Sequence, residues 1–141
     1  MKIMKNVISI LIAAVVVSLA TGCCACRKGK NNKALVGTEW HLMRMMGTDI
    51  DAADDQFVFQ FSADGRFSGV GACNRLMGDY TITEKRAISF GELAGTRMMC
   101  PNINLETQLI KIISQATHYE IDGDMLLLLS NGELQAVFKA K

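Results

Sequence analysis

Two glycine turns near the C-terminus constrain the fold more than any other feature. Asp122-Gly123 separates Tyr119-Glu120-Ile121 from the apolar run Met125 to Leu129, and Asn131-Gly132 separates that run from Leu134, Ala136 and Phe138. Asp-Gly and Asn-Gly between apolar runs signal hairpins, because both central turn positions take positive φ, which few other residues tolerate. A third turn, Ala63-Asp64-Gly65, leads out of Phe57, Phe59 and Phe61, which alternate with Val58 and Gln60, into Arg66-Phe67-Ser68. Thr38 to Met46 carries Trp40 and Leu42 on one face, and Tyr80 and Ile82 alternate with Asp79, Thr81 and Thr83 ahead of Ala87 to Phe90. A period of two is that of half-buried strands, so the chain predicts an antiparallel, up-and-down sheet.

One helix interrupts the strands. Leu105, Leu109, Ile112, Ile113 and Ala116 recur at helical spacing and predict an amphipathic helix over about 103–118. Pro101 and Asn102 or Asn104 supply a stop and a cap, and Glu106 complements the helix dipole. Glu106, Gln108, Lys111 and Gln115 form the predicted polar face. The fold class is therefore mainly β with one helix (α+β). A sheet of about seven to nine strands does not stay flat, so it is expected to curl into a small barrel with the helix packed over an opening.

The N-terminus points to export. Lys2 and Lys5 precede an apolar run from Val7 to Leu19, about 20 Å long as a helix and short of the roughly 30 Å hydrocarbon core. Leu19-Ala20-Thr21-Gly22-Cys23 is similar to a bacterial lipobox, although Ala20 stands where leucine is usual. Residues 1–22 are thus expected to be a lipoprotein signal peptide and Cys23 the lipidated residue. Residues 23–34 form a basic tether with Arg27, Lys28, Lys30 and Lys33, in which Cys24 and Cys26 are read first as part of an exposed tether without a role, with a strained mutual disulfide or a soft-metal site as alternatives. Residues 35–141 form one domain with nine Lys and Arg against fourteen Asp and Glu, a net charge of −5. Such a domain lacks the cations that neutralise a run of phosphates, so nucleic acid is excluded as a partner.

Cys73-Asn74-Arg75, Gly78-Asp79-Tyr80 and Thr96-Arg97-Met98-Met99-Cys100 are the residues that say most about identity. Two lone cysteines about 27 residues apart, behind an export signal, most simply form one disulfide. With Gly37-Thr38-Glu39-Trp40-His41-Leu42, Asp64-Gly65, Gly69, Gly71, Leu93-Ala94-Gly95 and Glu106, these motifs resemble the META domain family, whose members include HslJ-like heat-shock lipoproteins. The resemblance covers residues 35–139 and implies a lipocalin-like barrel. It carries the family's paired cysteines onto Cys73 and Cys100, and its motif onto Gly71, Asn74, Gly78, Tyr80, Thr96 and Met98. It implies no reaction and no cofactor.

Chemical alternatives find little support. Cys73, Cys100, His41 and His118 lack the spacing of a Cys2His2 metal site. A cysteine nucleophile leaves the second cysteine without a use. Asp54-Asp55 and Asp122 with Asp124 fall in turns, as solvated charge. Asn74 is expected to bond its own backbone in an Asx turn. Met43, Met45, Met46, Met77, Met98, Met99 and Met125 are read as filling gaps in the core, with an adaptable contact surface or, with His41, a Cu(I) site as alternatives. The expected function is a non-catalytic cell-envelope lipoprotein, periplasmic or outer-membrane. It is expected to be held to the membrane through Cys23 and to contact other envelope proteins, and the resemblance implies a part in stress tolerance. The alternative is a carrier of a small apolar ligand inside the barrel.

Overall fold

The computed structural model describes residues 31–141. The stretch over 1–22 expected to be a signal peptide, Cys23 with its expected lipidation, Cys24, Cys26 and most of the expected basic tether lie outside the described residues. Strands β1 (Glu39–Met45), β2 (Thr48–Asp49), β3 (Val58–Phe61), β4 (Arg66–Val70), β5 (Arg75–Ile82), β6 (Ile88–Phe90) and β7 (Ala94–Gly95) precede helix α1 (Ile103–Gln115). Strands β8 (His118–Asp122), β9 (Met125–Ser130) and β10 (Glu133–Ala140) follow it.

The sheet runs in the order β6-β5-β4-β3-β1-β10-β9-β8, with β2 on β1 and β7 on β5. Every one of these pairings is antiparallel. Because β1 pairs with β10, the first and last strands meet, and the ring is interrupted where the helix enters the sequence, between β6 and β8. There an Ala87–His118 bridge and the Ile88 N–H donating to Thr117 O at 3.0 Å stitch the two edges together. The result is a nearly closed antiparallel barrel with one helix, as the turn pattern predicts.

Turns of such a barrel alternate between its two ends. The β8–β9 turn lies where β1 begins, and the Lys33 N–H reaches Gly123 O there at 2.8 Å. The chain thus enters the domain at that end. The β4–β5 and β9–β10 turns lie at the other.

Several details depart from the sequence reading. The β8–β9 loop is Gly123-Asp124, not Asp122-Gly123, with positive φ at Gly123 alone, whereas Asn131 (51°) and Gly132 (86°) both take it. A bulge between Leu42 and Arg44 adds one residue to β1, which returns Met45 to the buried face of Trp40 and Leu42. Strands β2 and β7 are invisible to periodicity, being two residues each without an apolar alternation. Helix α1 stops at Gln115 instead of running to 118, because Ala116 turns extended (ψ 134°) and feeds the seam.

The core is aromatic. Trp40 is fully buried and donates its indole N–H to Leu35 O at 3.0 Å. Phe59 stacks on Phe67 at 5.1 Å and meets Phe138 edge-on at 6.0 Å, while Phe61 meets Tyr80 edge-on at 5.1 Å. Helix α1 drives Ile113 into this group, and the space left among Trp40, Phe59, Phe61, Phe67, Ile113, Leu126, Leu128 and Phe138 is about 10 Å³. That is barely the room one water molecule needs.

Candidate functional site: a buried carboxylate beside an open groove

Glu106 sits on the first turns of α1 and is only 3% exposed. Its Oε2 accepts the backbone N–H groups of Ala72 (2.8 Å), Cys73 (3.3 Å) and Asn74 (3.2 Å), the residues that turn the chain from β4 into β5. Its Oε1 accepts the Asn74 side-chain amide at 2.7 Å. Each of these partners is a donor, which matches an acceptor-only group. This corrects the sequence reading, which places Glu106 on the polar face with Gln108, Lys111 and Gln115. Glu106, Leu109 and Ile113 stand at i, i+3 and i+7, the signal that could have put Glu106 on the buried stripe.

Asn74 extends the network. Its Oδ1 accepts from the Thr96 hydroxyl (2.8 Å) and the Met98 N–H (2.7 Å), and its Nδ2 also donates to Met98 O at 3.1 Å. The expected Asx turn is therefore absent. The N–H groups of the β4–β5 turn already point at Glu106, so the Asn74 side chain is free to fasten the segment from Thr96 to Met98. Thr96 Oγ1 in turn accepts the Arg75 N–H at 3.1 Å. The Cys73–Cys100 disulfide joins the same turn to the end of the same segment. Among the described residues, no buried side-chain nitrogen or oxygen lacks a hydrogen bond.

The motif residues thus largely converge. Gly71 lies against the carboxylate: a Cβ there would meet Glu106 Oε2 at 2.5 Å and Cγ at 2.7 Å, so a side chain would push Glu106 out. Asn74, Thr96 and Met98 are bonded to one another, and Gly78 sits further along β5, against Leu93. Tyr80 stands apart: its hydroxyl donates to Ser62 O at 2.7 Å beside the β3–β4 turn. Burial first, then the Asp64 carboxylate and the Tyr119 hydroxyl, push the Tyr80 phenol above its ordinary range. Cys73 and Cys100, being paired, offer no thiolate to a metal or a substrate. His41 is taken by Glu39, Nε2 to Oε1 at 2.8 Å. Asp54 faces Lys141 at 3.6 Å on the surface.

The methionines correct another expectation. Met45 is buried, but Met43, Met46, Met77, Met98 and Met99 are exposed, Met99 by 85%. These five do not fill the core. Met98 and Met99 line an open groove of about 610 Å³ between the segment from Glu92 to Met99 and helix α1, with Leu76, Leu93, Ile103 and Ile110 as further apolar walls. Asn74 and Glu106 reach this groove from beneath.

A nearly closed antiparallel barrel, sealed by one helix and pinned by a disulfide and a buried carboxylate, defines a class of small, mainly β domains. Among the described residues, no helix is long and apolar enough to cross a membrane. Residues 33–141 match the META domain, and the chain belongs to that family. No curated protein matches it. Among solved structures, one determined by NMR aligns with a TM-score of 0.62 at 20% identity, over 74% of this chain and 90% of that one. An NMR structure of a protein from Burkholderia xenovorans aligns at 0.59 and 24% identity, over 76% and 83%. The crystal structure of a DUF4847 family protein from Bacteroides vulgatus aligns at 0.59 and 17% identity, over 75% and 93%. At these identities the likeness is one of fold.

Proposed function

We propose that this protein is a non-catalytic lipoprotein of the bacterial cell envelope, tied to a membrane through acyl chains on Cys23 and serving as an interaction module in stress tolerance. The observation that carries the non-catalytic part is the state of Glu106. Acid–base work needs a carboxylate that can exchange a proton with a substrate, and the donors bonded to this one belong to the protein's own turn and side chains. The network holds a surface in shape. The envelope part rests on the basic start, the short apolar run and the cysteine at position 23, together with a disulfide suited to an oxidising compartment. The carrier reading finds no support inside the barrel, where the aromatic core leaves about 10 Å³.

Mass spectrometry of the protein made from its own leader tests this reading. A chain beginning at Cys23 and carrying acyl mass is expected, with Cys23→Ser abolishing both the acyl mass and membrane retention. An intact Met1 on unacylated protein in the cytosol would overturn it.

A further inference from the structure

Strand β7 pairs with β5 along one edge and with no described strand along the other. The open groove of about 610 Å³ runs between β7 and α1, a size within the usual range of natural ligand sites, roughly 300–1,000 Å³. Leu93, Met98, Ile103 and Ile110 give it apolar walls. Glu92 and Arg97 also line it, bracket β7 in the sequence, and enter no ion pair among the described residues. They are five residues apart, so in extended chain their Cα atoms stand at most about 18 Å from each other.

With Thr96 N–H bonded to Arg75 O at 3.1 Å and Gly95 opposite Leu76, the two-residue strand turns the Gly95 N–H and C=O away from β5, and another polypeptide strand is the partner that satisfies both at once. A small apolar ligand would leave those groups, and two opposite charges, uncompensated. We propose that the groove takes an extended peptide segment as an added strand on β7. The segment places apolar side chains against Leu93, Met98, Ile103 and Ile110, a Lys or Arg towards Glu92, and an Asp or Glu towards Arg97. This names the partner class of the interaction module proposed above and rests on that reading.

Further observations support the assignment. The strand is already fastened by the disulfide and by Asn74, so little ordering is needed when a peptide binds. The β4–β5 turn beneath the groove lies at the barrel end opposite the entry of the chain at Lys33, so a tether leaves this end of the barrel free. Exposed methionines at the rim adapt to varied side chains, which suits a site that reads strand character and charge order more than exact sequence.

The test uses the isotopically labelled full chain in detergent micelles and three capped decapeptides of alternating apolar and polar residues. One carries Lys and Glu five positions apart, the second carries them in reverse order, and the third repeats the first with N-methylated amides along one edge. Expected are saturable NMR shifts at the Ala94, Gly95 and Thr96 amides and the Met98 and Met99 methyls, with one charge order preferred about ten-fold. The double variant Glu92→Arg with Arg97→Glu should reverse that preference, and N-methylation should abolish the shifts. Absence of saturable shifts, equal binding of the N-methylated peptide, or shifts that grow with protein concentration alone (two copies pairing through this edge) would each overturn the proposal. Peptide binding does not require lipid on Cys23, so its failure and the failure of the envelope reading are seen in different measurements.

Discussion

Glu106 is an ionisable side chain spent on architecture. Three successive backbone N–H groups at a tight turn need an acceptor once they are buried, and water is excluded there by Gly71, Ala72 and the helix. A carboxylate at the start of a helix meets that need and favours the positive end of the helix dipole at the same time. Glu106→Gln keeps the shape but turns one acceptor into a donor, so at least one N–H of the turn or of Asn74 loses its partner. The expected cost is about 1–3 kcal/mol, read as a lower urea midpoint at unchanged m-value with the disulfide intact. An unchanged midpoint would show that the carboxylate is not holding the turn.

Between β6 and α1 the chain crosses outside the barrel from Gly91 to Asn102 with only β7 as regular structure. Such a segment has few buried apolar contacts of its own, and its position depends on three fastenings: two pairs with β5, the Asn74 side chain, and Cys100. Closing the 27-residue separation between Cys73 and Cys100 is worth about 3.5 kcal/mol on the loop-entropy scale. Cys73→Ala with Cys100→Ala should therefore lower the unfolding free energy by about that amount. Amide exchange at Met98 should rise well before exchange in β9 and β10. Equal acceleration everywhere would mean that the disulfide steadies the whole barrel and not this segment.

The barrel as a whole is closed unevenly. Strands β9 and β10 share six register pairs, whereas β6 and β8 are joined at their ends by the single Ala87–His118 bridge, to which the hydrogen bond from Ile88 N–H to Thr117 O belongs. Local opening follows the weakest joint. Native-state hydrogen exchange should find the Ile88 amide less protected than the β9 and β10 amides by at least about ten-fold, a difference of roughly 1.4 kcal/mol. Equal protection at Ile88 and in β10 would show that the barrel opens as one unit, with no separate seam beside α1.

Strand type, turn positions and the existence of one helix were legible along the chain, because each depends on neighbours a few residues away: Phe57, Phe59 and Phe61 alternate, Asn131-Gly132 tolerates positive φ, and Leu109, Ile112 and Ile113 share a stripe. The resemblance likewise located Asn74, Thr96 and Met98 without saying why they belong together. What bonds them is long-range. Glu106 lies 32 positions from Asn74, and Met98 lies 24 from it. The same polar residue reads as a surface cap in a helix considered alone and as a buried acceptor once a turn of bare N–H groups is laid against it. Likewise the methionines look like core by hydropathy, and which of them face water was settled by the bulge in β1 and the course of the segment over β5. Local sterics and periodicity act through adjacent residues, whereas burial is a property of what the rest of the chain places on top.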